Sequence, residues 1–360
     1  MLYHLLYPLH TEVSMFNVIQ YITFRTAAAS LTAFLLSLLF GPYAIRRLRE
    51  LQIRQIVRED LTTHKKKAGT PTMGGLLVLG ASLLPTLLWA DLFNVYVRIA
   101  VLSTMAFGLI GFLDDYLKVV RGSHHGLSVS EKLVAQGAVA TVVGLVLLHL
   151  TNSNLYSTEI IFPVFKEFTP DIGWLYVPFT VLILVLWSNA VNLTDGLDGL
   201  AISIFTVAAG AFTALTYVSG HSAIAEFLLI VRFPPAGELT IFCGSLVGAG
   251  LGFLWYNSYP ASVFMGDVGS LALGAALAIV AILIKQELLL FIVGAVFVAE
   301  AFSVVLQVGF FKLTGRRIFK MAPLHHHFEL VGWSEPKIIS RFLITAVVLA
   351  LFSLTTLKLR

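Results

Sequence analysis

The stretch VLILVLWSNAVNLTDGLDGLAISIFTVAAGAF, residues 181–212, consists of two long apolar runs separated by a short polar motif that carries Asn192, Asp195 and Asp198. Similar apolar runs recur along all 360 residues, and the chain is 58% hydrophobic and only 12% charged. Because soluble domains carry about 25% charged residues, this composition predicts an integral membrane protein. The runs lack the alternation of outer-membrane barrel strands, so an all-α architecture is expected.

The apolar runs also predict the number of spans, because a helix needs about 20 apolar residues to cross a bilayer. Ten transmembrane helices are expected in a single polytopic membrane domain, 1–360. They lie at about 18–45, 73–90, 97–113, 133–150, 175–191, 200–218, 239–256, 268–284, 288–311 and 339–357. Two small-residue series, Gly244/Gly248/Gly252 and Gly108/Gly111, predict close packing between helices.

The basic residues predict the orientation of these spans. The connections after the first, third and ninth spans hold seventeen of the 24 Lys and Arg residues. By the positive-inside rule, these connections are cytoplasmic and both termini are periplasmic. With ten spans, the connections after the first, third, fifth, seventh and ninth spans all lie on the same side of the membrane. The connections at 192–199 and 257–267 contain no Lys or Arg, so their cytoplasmic position follows from this alternation.

Five polar motifs fall on that same side of the membrane. In chain order they are HKKKAGTPTMGG (64–75), GFLDDYLK (111–118), NAVNLTDGLDG (189–199), YNSYPASVFMGDVGS (256–270) and KMAPLHHHFEL (320–330). Every predicted cytoplasmic connection therefore carries a polar motif. This convergence predicts one active site that faces the cytoplasm.

Each motif also has a purely structural interpretation. Asp195 could cap the following helix, with Asp198 three residues later as in a capping box. Asp114 and Asp115 could be solvated residues at a helix end. Lys65–Lys67 could contact lipid headgroups.

The triple histidine and Glu300 also have two interpretations each. Three neighbouring residues on a helix point about 100° apart, so the histidines are poorly placed to ligate one ion together. They suit either a loop role or binding to phosphate oxygens. Glu300 lies near the middle of the ninth span, where an ionisable group is either functional or hydrogen-bonded to another helix.

Carboxylates and an amide that face Lys and His residues suggest Mg²⁺ bound to a polyanion. Mg²⁺ prefers oxygen ligands and often joins one or two carboxylates to substrate phosphates. Phosphoryl transfer depends mainly on positioning and charge neutralisation, and a lipid-borne substrate would explain the membrane location. The sequence contains neither GxxxxGK[ST] nor GxGxxG, so neither a P-loop ATPase nor a Rossmann cofactor site is supported.

The motifs TPTMGG, GFLDDY, NAVNLTDGLDGLA, GLGFLWYNSYPA, FMGDVGSLALG and APLHHHFEL, in this order from about residue 17 onward, resemble a known family. It is the polyprenyl-phosphate N-acetylhexosamine-1-phosphate transferases, and the uninterrupted HHH resembles its phospho-N-acetylmuramoyl-pentapeptide transferase branch. The resemblance implies that phospho-MurNAc-pentapeptide moves from UDP-MurNAc-pentapeptide to undecaprenyl phosphate, which gives lipid I and UMP for peptidoglycan synthesis. It also implies ten spans, a Mg²⁺ requirement, a homodimer, a location in the bacterial inner membrane and no nucleic-acid partner.

The same resemblance assigns roles to individual positions. The family's Asp-Asp motif falls on Asp114 and Asp115, its metal-binding aspartate on Asp267, and its histidine motif on His325, His326 and His327. The predicted substrate-binding positions are Lys67, Thr72, Lys118, Asn192, Asp195, Asp198, Asn257, Phe264, Gln307, His326 and His327.

More specific roles are expected for part of this set. Asp267 ligates Mg²⁺ with Asn192 or Asp114, and Asp114 orients the acceptor phosphate. Asp198 accepts from the uracil N–H while Phe264 stacks on the ring. The catalytic set is Asp114, Asp115, Asp267 and His325.

Three rival functions remain open. A UDP-GlcNAc:polyprenyl-phosphate GlcNAc-1-phosphate transferase is the sister activity. A cation-coupled transporter would place acids near the bilayer midplane in two related halves, but only Glu300 is central. A membrane prenyltransferase would need two comparable Asp-rich repeats, whereas DD, DGLDG and GDVG are unlike one another.

Overall fold

The computed structural model describes residues 2–51, 69–121, 126–163, 165, 168–228 and 233–356. Within these ranges the regular elements are all helices, and an isolated β-bridge joins Glu159 to Asp171. The fourteen α-helices are α1 (Leu2–Leu6), α2 (Ile22–Glu50), α3 (Gly75–Trp89), α4 (Val95–Arg121), α5 (Val129–Asn152), α6 (Tyr176–Thr194), α7 (Leu200–Gly220), α8 (Ser222–Leu228), α9 (Leu239–Asn257), α10 (Gly266–Leu283), α11 (Glu287–Val293), α12 (Ala295–Thr314), α13 (Leu324–Val331) and α14 (Glu335–Thr355). The predicted all-α integral membrane architecture is confirmed.

Nine helices in the described part of the chain are long and apolar enough to cross a membrane. They are α2, α4, α5, α6 with the 3₁₀ turn that precedes it, α7, α9, α10, α12 and α14. The predicted span 73–90 corresponds to α3, which has 15 residues and is therefore about 22 Å long. That length falls short of the ~30 Å hydrocarbon core, so the count of ten spans and their orientation stay predictions.

The predicted continuous span at 288–311 is wrong. The helix breaks at Gly294, where φ is −103° and ψ is 26°, and this residue separates α11 from α12. A side chain at Gly294 would lie 2.5 Å from the ring of the fully buried Trp187. Glycine permits both this contact and the non-helical backbone, because it has no Cβ.

The bundle is built around α10, which is buried along most of its length and packs against α3, α4 and α6. Glycines allow its first turns to approach their neighbours closely. A Cβ on Gly111 would lie 2.2 Å from the carbonyl oxygen of Asp267, and one on Gly75 would lie 2.1 Å from the backbone nitrogen of Gly269. These close contacts therefore fix the position of Asp267 along the axis of α4.

The two predicted small-residue series do mediate close helix packing. A Cβ on Gly248 would lie 1.9 Å from the carbonyl oxygen of Ser30 in α2, and one on Gly108 would lie 2.7 Å from the Leu79 side chain in α3. The contacts of α2 with α9 and of α4 with α3 thus depend on these positions.

A second polar cluster lies at the opposite end of α10. Lys285 donates to Glu287 over 3.1 Å and to the Tyr176 hydroxyl over 2.8 Å. Tyr176 also donates to Glu287 and lies 2.8 Å from the Tyr156 hydroxyl. Tyr156 in turn donates to the carbonyl oxygen of Ile282 over 2.6 Å. We call Tyr156, Tyr176, Lys285 and Glu287 the far-end cluster.

Candidate active site

Three carboxylates from two helices meet at one end of the bundle. Asp114 and Asp115 lie near the end of α4, and Asp267 lies in the first turn of α10. One oxygen from each lies within 4.8 Å of the others. The close approach of α4 and α10 at Gly111 produces this grouping. We call these three residues the acidic cluster.

Two lysines neutralise part of the acidic cluster. The Lys118 ammonium lies 2.6 Å from Asp114, 3.1 Å from Asp267 and 3.4 Å from Asp115. The Lys132 ammonium, from the first turn of α5, lies 2.7 Å from Asp267. Three carboxylates and two ammonium groups leave one formal negative charge in a largely buried site. Such a surplus favours the binding of a cation.

The remaining oxygens of the cluster are fixed by neutral donors. Asp114 accepts from the backbone N–H of Leu127 over 2.8 Å, and Asp115 accepts from that of Val268 over 3.1 Å. Asp267 accepts from the Asn192 amide, at the end of α6, over 2.8 Å. These bonds restrict the rotation of all three carboxylates, so the cluster is preorganised.

Asn192 is also held from a second side. Its amide nitrogen donates to the Ser270 hydroxyl over 2.8 Å, and that hydroxyl donates to the carbonyl oxygen of Gly266 over 2.9 Å. The end of α6 is thereby tied to the first turn of α10.

Asp195 lies between α6 and α7, near the acidic cluster. Burial is the main reason that its pKa rises to about 8, and the charges of Asp267 and Asp115 raise it further. The backbone N–H of Gly266 opposes this shift. Asp195 is therefore mostly protonated at neutral pH when no cation is bound.

The capping-box interpretation of Asp195 and Asp198 is wrong. Asp195 directly follows α6, and the residue before α7 is Gly199, which has φ +75° and provides no side-chain cap. A left-handed conformation at that position favours glycine. Asp198 instead accepts from the Ala261 N–H over 2.9 Å, and its own N–H donates to Glu335 over 2.9 Å.

Asn257 connects the two loops beside the cluster. It accepts from the Gly199 N–H over 3.1 Å and donates to the Val263 carbonyl over 2.8 Å. The oxygen and the nitrogen of the Asn257 amide therefore both hold these loops in position. This role is in addition to the predicted role of Asn257 in substrate binding.

The TPTMGG motif pairs with the residues just before Asp267. The Phe264 N–H donates to the Pro71 carbonyl, and the Gly74 N–H donates to the Phe264 carbonyl, each over 2.8 Å. The backbone of Gly266 has φ +74°, and a Cβ there would lie 3.0 Å from the Thr72 hydroxyl. Thr72 and Phe264 thus lie beside the cluster, whereas Lys67 falls outside the described residues.

The three histidines have different partners. His325 is 1% exposed, its Nδ1 lies 3.2 Å from Glu300, and its backbone N–H also donates to Glu300. Its Nε2 has no hydrogen-bond partner among the described residues and faces Gly196, where a Cβ would lie 2.3 Å away.

The other two histidines lie on the same short helix, α13. His326 lies 2.7 Å from Glu329, and the Nδ1 of His327 accepts from the Lys320 N–H over 3.2 Å. The motif therefore brings one imidazole, that of His325, against the segment between α6 and α7.

Gln307 is engaged with its own connection. Its amide nitrogen donates to the Phe319 carbonyl, and its oxygen accepts from the N–H groups of Ile318 and Phe319, all over 3.0 Å. These bonds use one of the two amide N–H donors of Gln307, so the second N–H remains for a ligand acceptor.

Sequence analysis missed Lys132 and Glu335 as site residues. Lys132 was counted only as a basic residue that fixes orientation. It follows a capping box formed by Ser128 and Glu131, and this signal would have placed its side chain in the first turn of α5. Glu335 begins α14 and contacts Asp198 across 137 residues of sequence, and no local pattern indicates that pairing.

Comparisons with known proteins identify the family of the chain. The model of glycosyl transferase family 4 matches residues 97–285, and a phospho-N-acetylmuramoyl-pentapeptide-transferase signature matches residues 67–79. Phospho-N-acetylmuramoyl-pentapeptide-transferases from Desulfatibacillum aliphaticivorans, Koribacter versatilis and Nitratidesulfovibrio vulgaris are 58%, 56% and 55% identical, each over 100% of both chains. The chain therefore belongs to the phospho-N-acetylmuramoyl-pentapeptide-transferase family of membrane transferases, within glycosyl transferase family 4.

Proposed function

We propose that this protein transfers phospho-MurNAc-pentapeptide from UDP-MurNAc-pentapeptide to undecaprenyl phosphate, with lipid I and UMP as products. The observation that carries this proposal is the acidic cluster with its surplus negative charge, at the ends of membrane helices. Both substrates bear phosphates, and the acceptor is a membrane lipid. The muramoyl name of relatives at 55–58% identity favours this reaction over the GlcNAc-1-phosphate transfer of the sister branch.

The donor set of the acidic cluster fits Mg²⁺. Asp114, Asp115 and Asp267 offer the oxygen ligands that Mg²⁺ prefers, with one oxygen from each within 4.8 Å of the others. Asn192 uses its amide nitrogen to hold Asp267, so any contribution of Asn192 as a ligand comes from its oxygen. When bound, Mg²⁺ neutralises diphosphate charge and stabilises the departing UMP phosphate.

The chain's own cations bind the phosphates. Lys118 and Lys132 lie within 3.1 Å of Asp267, so their ammonium groups also border the space where a diphosphate would meet the carboxylates. A phosphate group that enters would draw these lysines partly away from the aspartates. Lys67, His325 and His326 provide further positive charge or donors around the phosphates.

Asp114 orients the acceptor phosphate for direct in-line attack. A phosphate monoester has a second pKa near 6 and is mostly ionised at pH 7, so the reaction does not demand a strong general base. Glu300 holds the His325 ring with Nε2 toward Gly196. In that orientation Nε2 is buried against the loop between α6 and α7, so a substrate group contacts it after this loop shifts.

The uridine part binds beside the cluster. Asp198 holds the 258–265 loop through Ala261, and this loop presents the partly exposed Phe264 ring. Phe264 stacks on uracil, while Asp198 accepts from its N–H. Thr72 and Asn257 complete the loop arrangement, and Gln307 donates its second amide N–H to the nucleotide.

The proposed setting is the bacterial inner membrane, with the acidic cluster on the cytoplasmic side and two copies of the chain forming a homodimer. The positive-inside distribution of Lys and Arg supports the orientation, and a cytoplasmic site would meet the soluble UDP-linked donor directly.

The purified protein, incubated with UDP-MurNAc-pentapeptide and undecaprenyl phosphate, should release UMP with added Mg²⁺ and not with excess chelator. Asp267→Asn should abolish UMP release, whereas Asp171→Asn, a matched change at an exposed carboxylate near the far-end cluster, should not. No UMP release by the unchanged protein would refute the reaction. Faster release from UDP-GlcNAc would assign the sister activity.

A further inference from the structure

A groove of about 510 Å³ lies between α2, α7 and α9 in the half of the bundle farthest from the acidic cluster. Its residues come from the first turns of α2 and α9 and from the second half of α7, whereas the site lies at the other ends of α7 and α9. Its volume falls within the range of ligand pockets. The groove is thus separate from the active site.

The groove changes in polarity along its length. Thr23, Tyr217 and Thr240 lie at its outer end, each within a turn of a helix end. Deeper in the bundle the lining is mostly apolar, and it consists of Ala27, Gly210, Ala214, Gly244 and Val247 together with Ser30 and Thr213. An amphiphile with a polar group at the membrane surface and a chain in the hydrocarbon core matches this gradient.

A second feature of the groove is the buried hydroxyl of Thr240. It is 3% exposed, and its hydroxyl has no hydrogen-bond partner among the described residues. The hydroxyls of Thr26 and Thr213 in the same groove each donate to a carbonyl one turn earlier in their own helix. Thr240 is the second residue of α9, so it has no carbonyl of that helix four residues before it. A buried hydroxyl without a partner is costly, and an acceptor from a ligand would satisfy it.

Gly210 marks the empty part of the groove. A Cβ on Gly210 would have no neighbouring atom within 4 Å. From Thr240 to Val247 the groove extends about 10 Å, or roughly two thirds of one leaflet's hydrocarbon thickness of ~15 Å. It therefore holds part of one chain from the near leaflet.

We infer that this groove binds one acyl chain of an ester-linked phospholipid, with the Thr240 hydroxyl donating to the ester carbonyl. Two features distinguish this occupant from the polyprenyl phosphate acceptor. The polar end of the groove faces the membrane surface opposite the acidic cluster, whereas the acceptor's phosphate must reach that cluster. An isoprenoid chain also has no carbonyl to accept from Thr240.

Native mass spectrometry can test the site on delipidated full-length protein titrated with dioleoyl phosphatidylglycerol. Gly210→Leu fills the groove without a clash and should abolish the tightest phospholipid adduct. Gly137→Leu is the matched control, since a Cβ there also has no neighbour within 4 Å and α5 does not line the groove. Equal adduct occupancy in these two variants would overturn the inference.

The hydrogen bond has its own test. Thr240→Val should weaken the adduct about three- to tenfold, whereas Thr213→Val, which removes a hydroxyl already bonded within its helix, should not. The dialkyl ether analogue of the lipid lacks the carbonyl, so it should bind the unchanged protein as weakly as the ester lipid binds Thr240→Val. Equal binding of ether and ester lipids would overturn the role of Thr240. Displacement of the adduct by undecaprenyl phosphate at equal concentration would assign the groove to the acceptor instead.

Discussion

The acidic cluster and the far-end cluster both bury charged side chains inside a membrane bundle, at opposite ends of α10. In the far-end cluster, one ammonium faces one carboxylate, and both are sealed, with the Lys285 and Glu287 side chains 5% and 0% exposed. The acidic cluster has three carboxylates for two ammonium groups, and the Lys118 side chain is 33% exposed. The charges of the far-end cluster are matched and closed to solvent, whereas those of the acidic cluster are in excess and accessible, as expected of a site that binds a ligand.

The comparison predicts the largest effect for Asp267→Asn. This change removes the carboxylate that Lys118, Lys132 and Asn192 all contact. UMP release should fall about 10⁴-fold, or ~5.5 kcal/mol of transition-state stabilisation, while the melting temperature changes little. Turnover assays and thermal unfolding of the same preparation measure both effects. Retention of a tenth or more of the activity would contradict the assignment of Asp267.

Lys285→Met should act on stability instead. It leaves the Glu287 carboxylate buried without its cation, which costs about 3–5 kcal/mol. Thermal unfolding should show the loss, and UMP release per folded molecule should stay near that of the unchanged protein. Adding Glu287→Gln to Lys285→Met removes the unpaired charge and should recover most of the stability. If the double variant were no more stable than Lys285→Met, the unpaired Glu287 charge would not be the cause of the lost stability.

Lys132→Met should reduce UMP release about 100-fold, or ~2.7 kcal/mol. The ammonium contributes to phosphate binding, but Lys118 remains in place. Lys132→Arg keeps the charge and should recover part of the rate, since its cation can still reach Asp267. The same activity in the Met and Arg variants would exclude an electrostatic role for Lys132.

The effect that is smallest per unit of pH concerns the stability of the protein without divalent cations. Burial and the neighbouring Asp267 and Asp115 charges raise the pKa of Asp195 to about 8. Between its unfolded pKa near 4 and this value, the folded protein holds a proton that the unfolded chain has lost. The free energy of unfolding that Asp195 contributes through this proton is therefore fully present below pH ~4. It is lost as pH rises toward 8, by up to ~1.4 kcal/mol per pH unit.

Melting temperatures from pH 5 to 9 in chelator measure this slope. Asp195→Asn is neutral at every pH, so its melting temperature should fall less steeply with pH. Mg²⁺ should flatten the slope of the unchanged protein, because a cation in the cluster stabilises the ionised form. Identical slopes for Asp195→Asn and the unchanged protein would show that Asp195 does not hold the proton.

Composition and periodicity were sufficient to predict the all-helical membrane architecture, because apolar runs near 20 residues have few other solutions. They did not predict the break at Gly294. A glycine inside an apolar run indicates a break only when its neighbour is known, and here that neighbour is Trp187, more than 100 residues earlier in sequence.

The sequence predicted which connections form the site, but it did not predict which side chains contact one another there. The common side of the polar motifs brought Asp114, Asp115 and Asp267 together correctly. The partners of each carboxylate depend on how closely α10 approaches α4, and on a lysine, Lys132, that the sequence presents as one charge among many. The Glu300–His325 contact likewise joins the second turn of α12 to the first turn of α13, a pairing that helical periodicity does not encode.

The position of α10 in the chain has a consequence for biosynthesis. Two of the three clustered carboxylates, Asp114 and Asp115, are translated about 150 residues before the third, and α10 must then enter among helices that are already in the membrane. No nascent chain shorter than 267 residues contains the complete acidic cluster. The complete acidic cluster therefore forms only after α10 has been synthesised and has packed against α4.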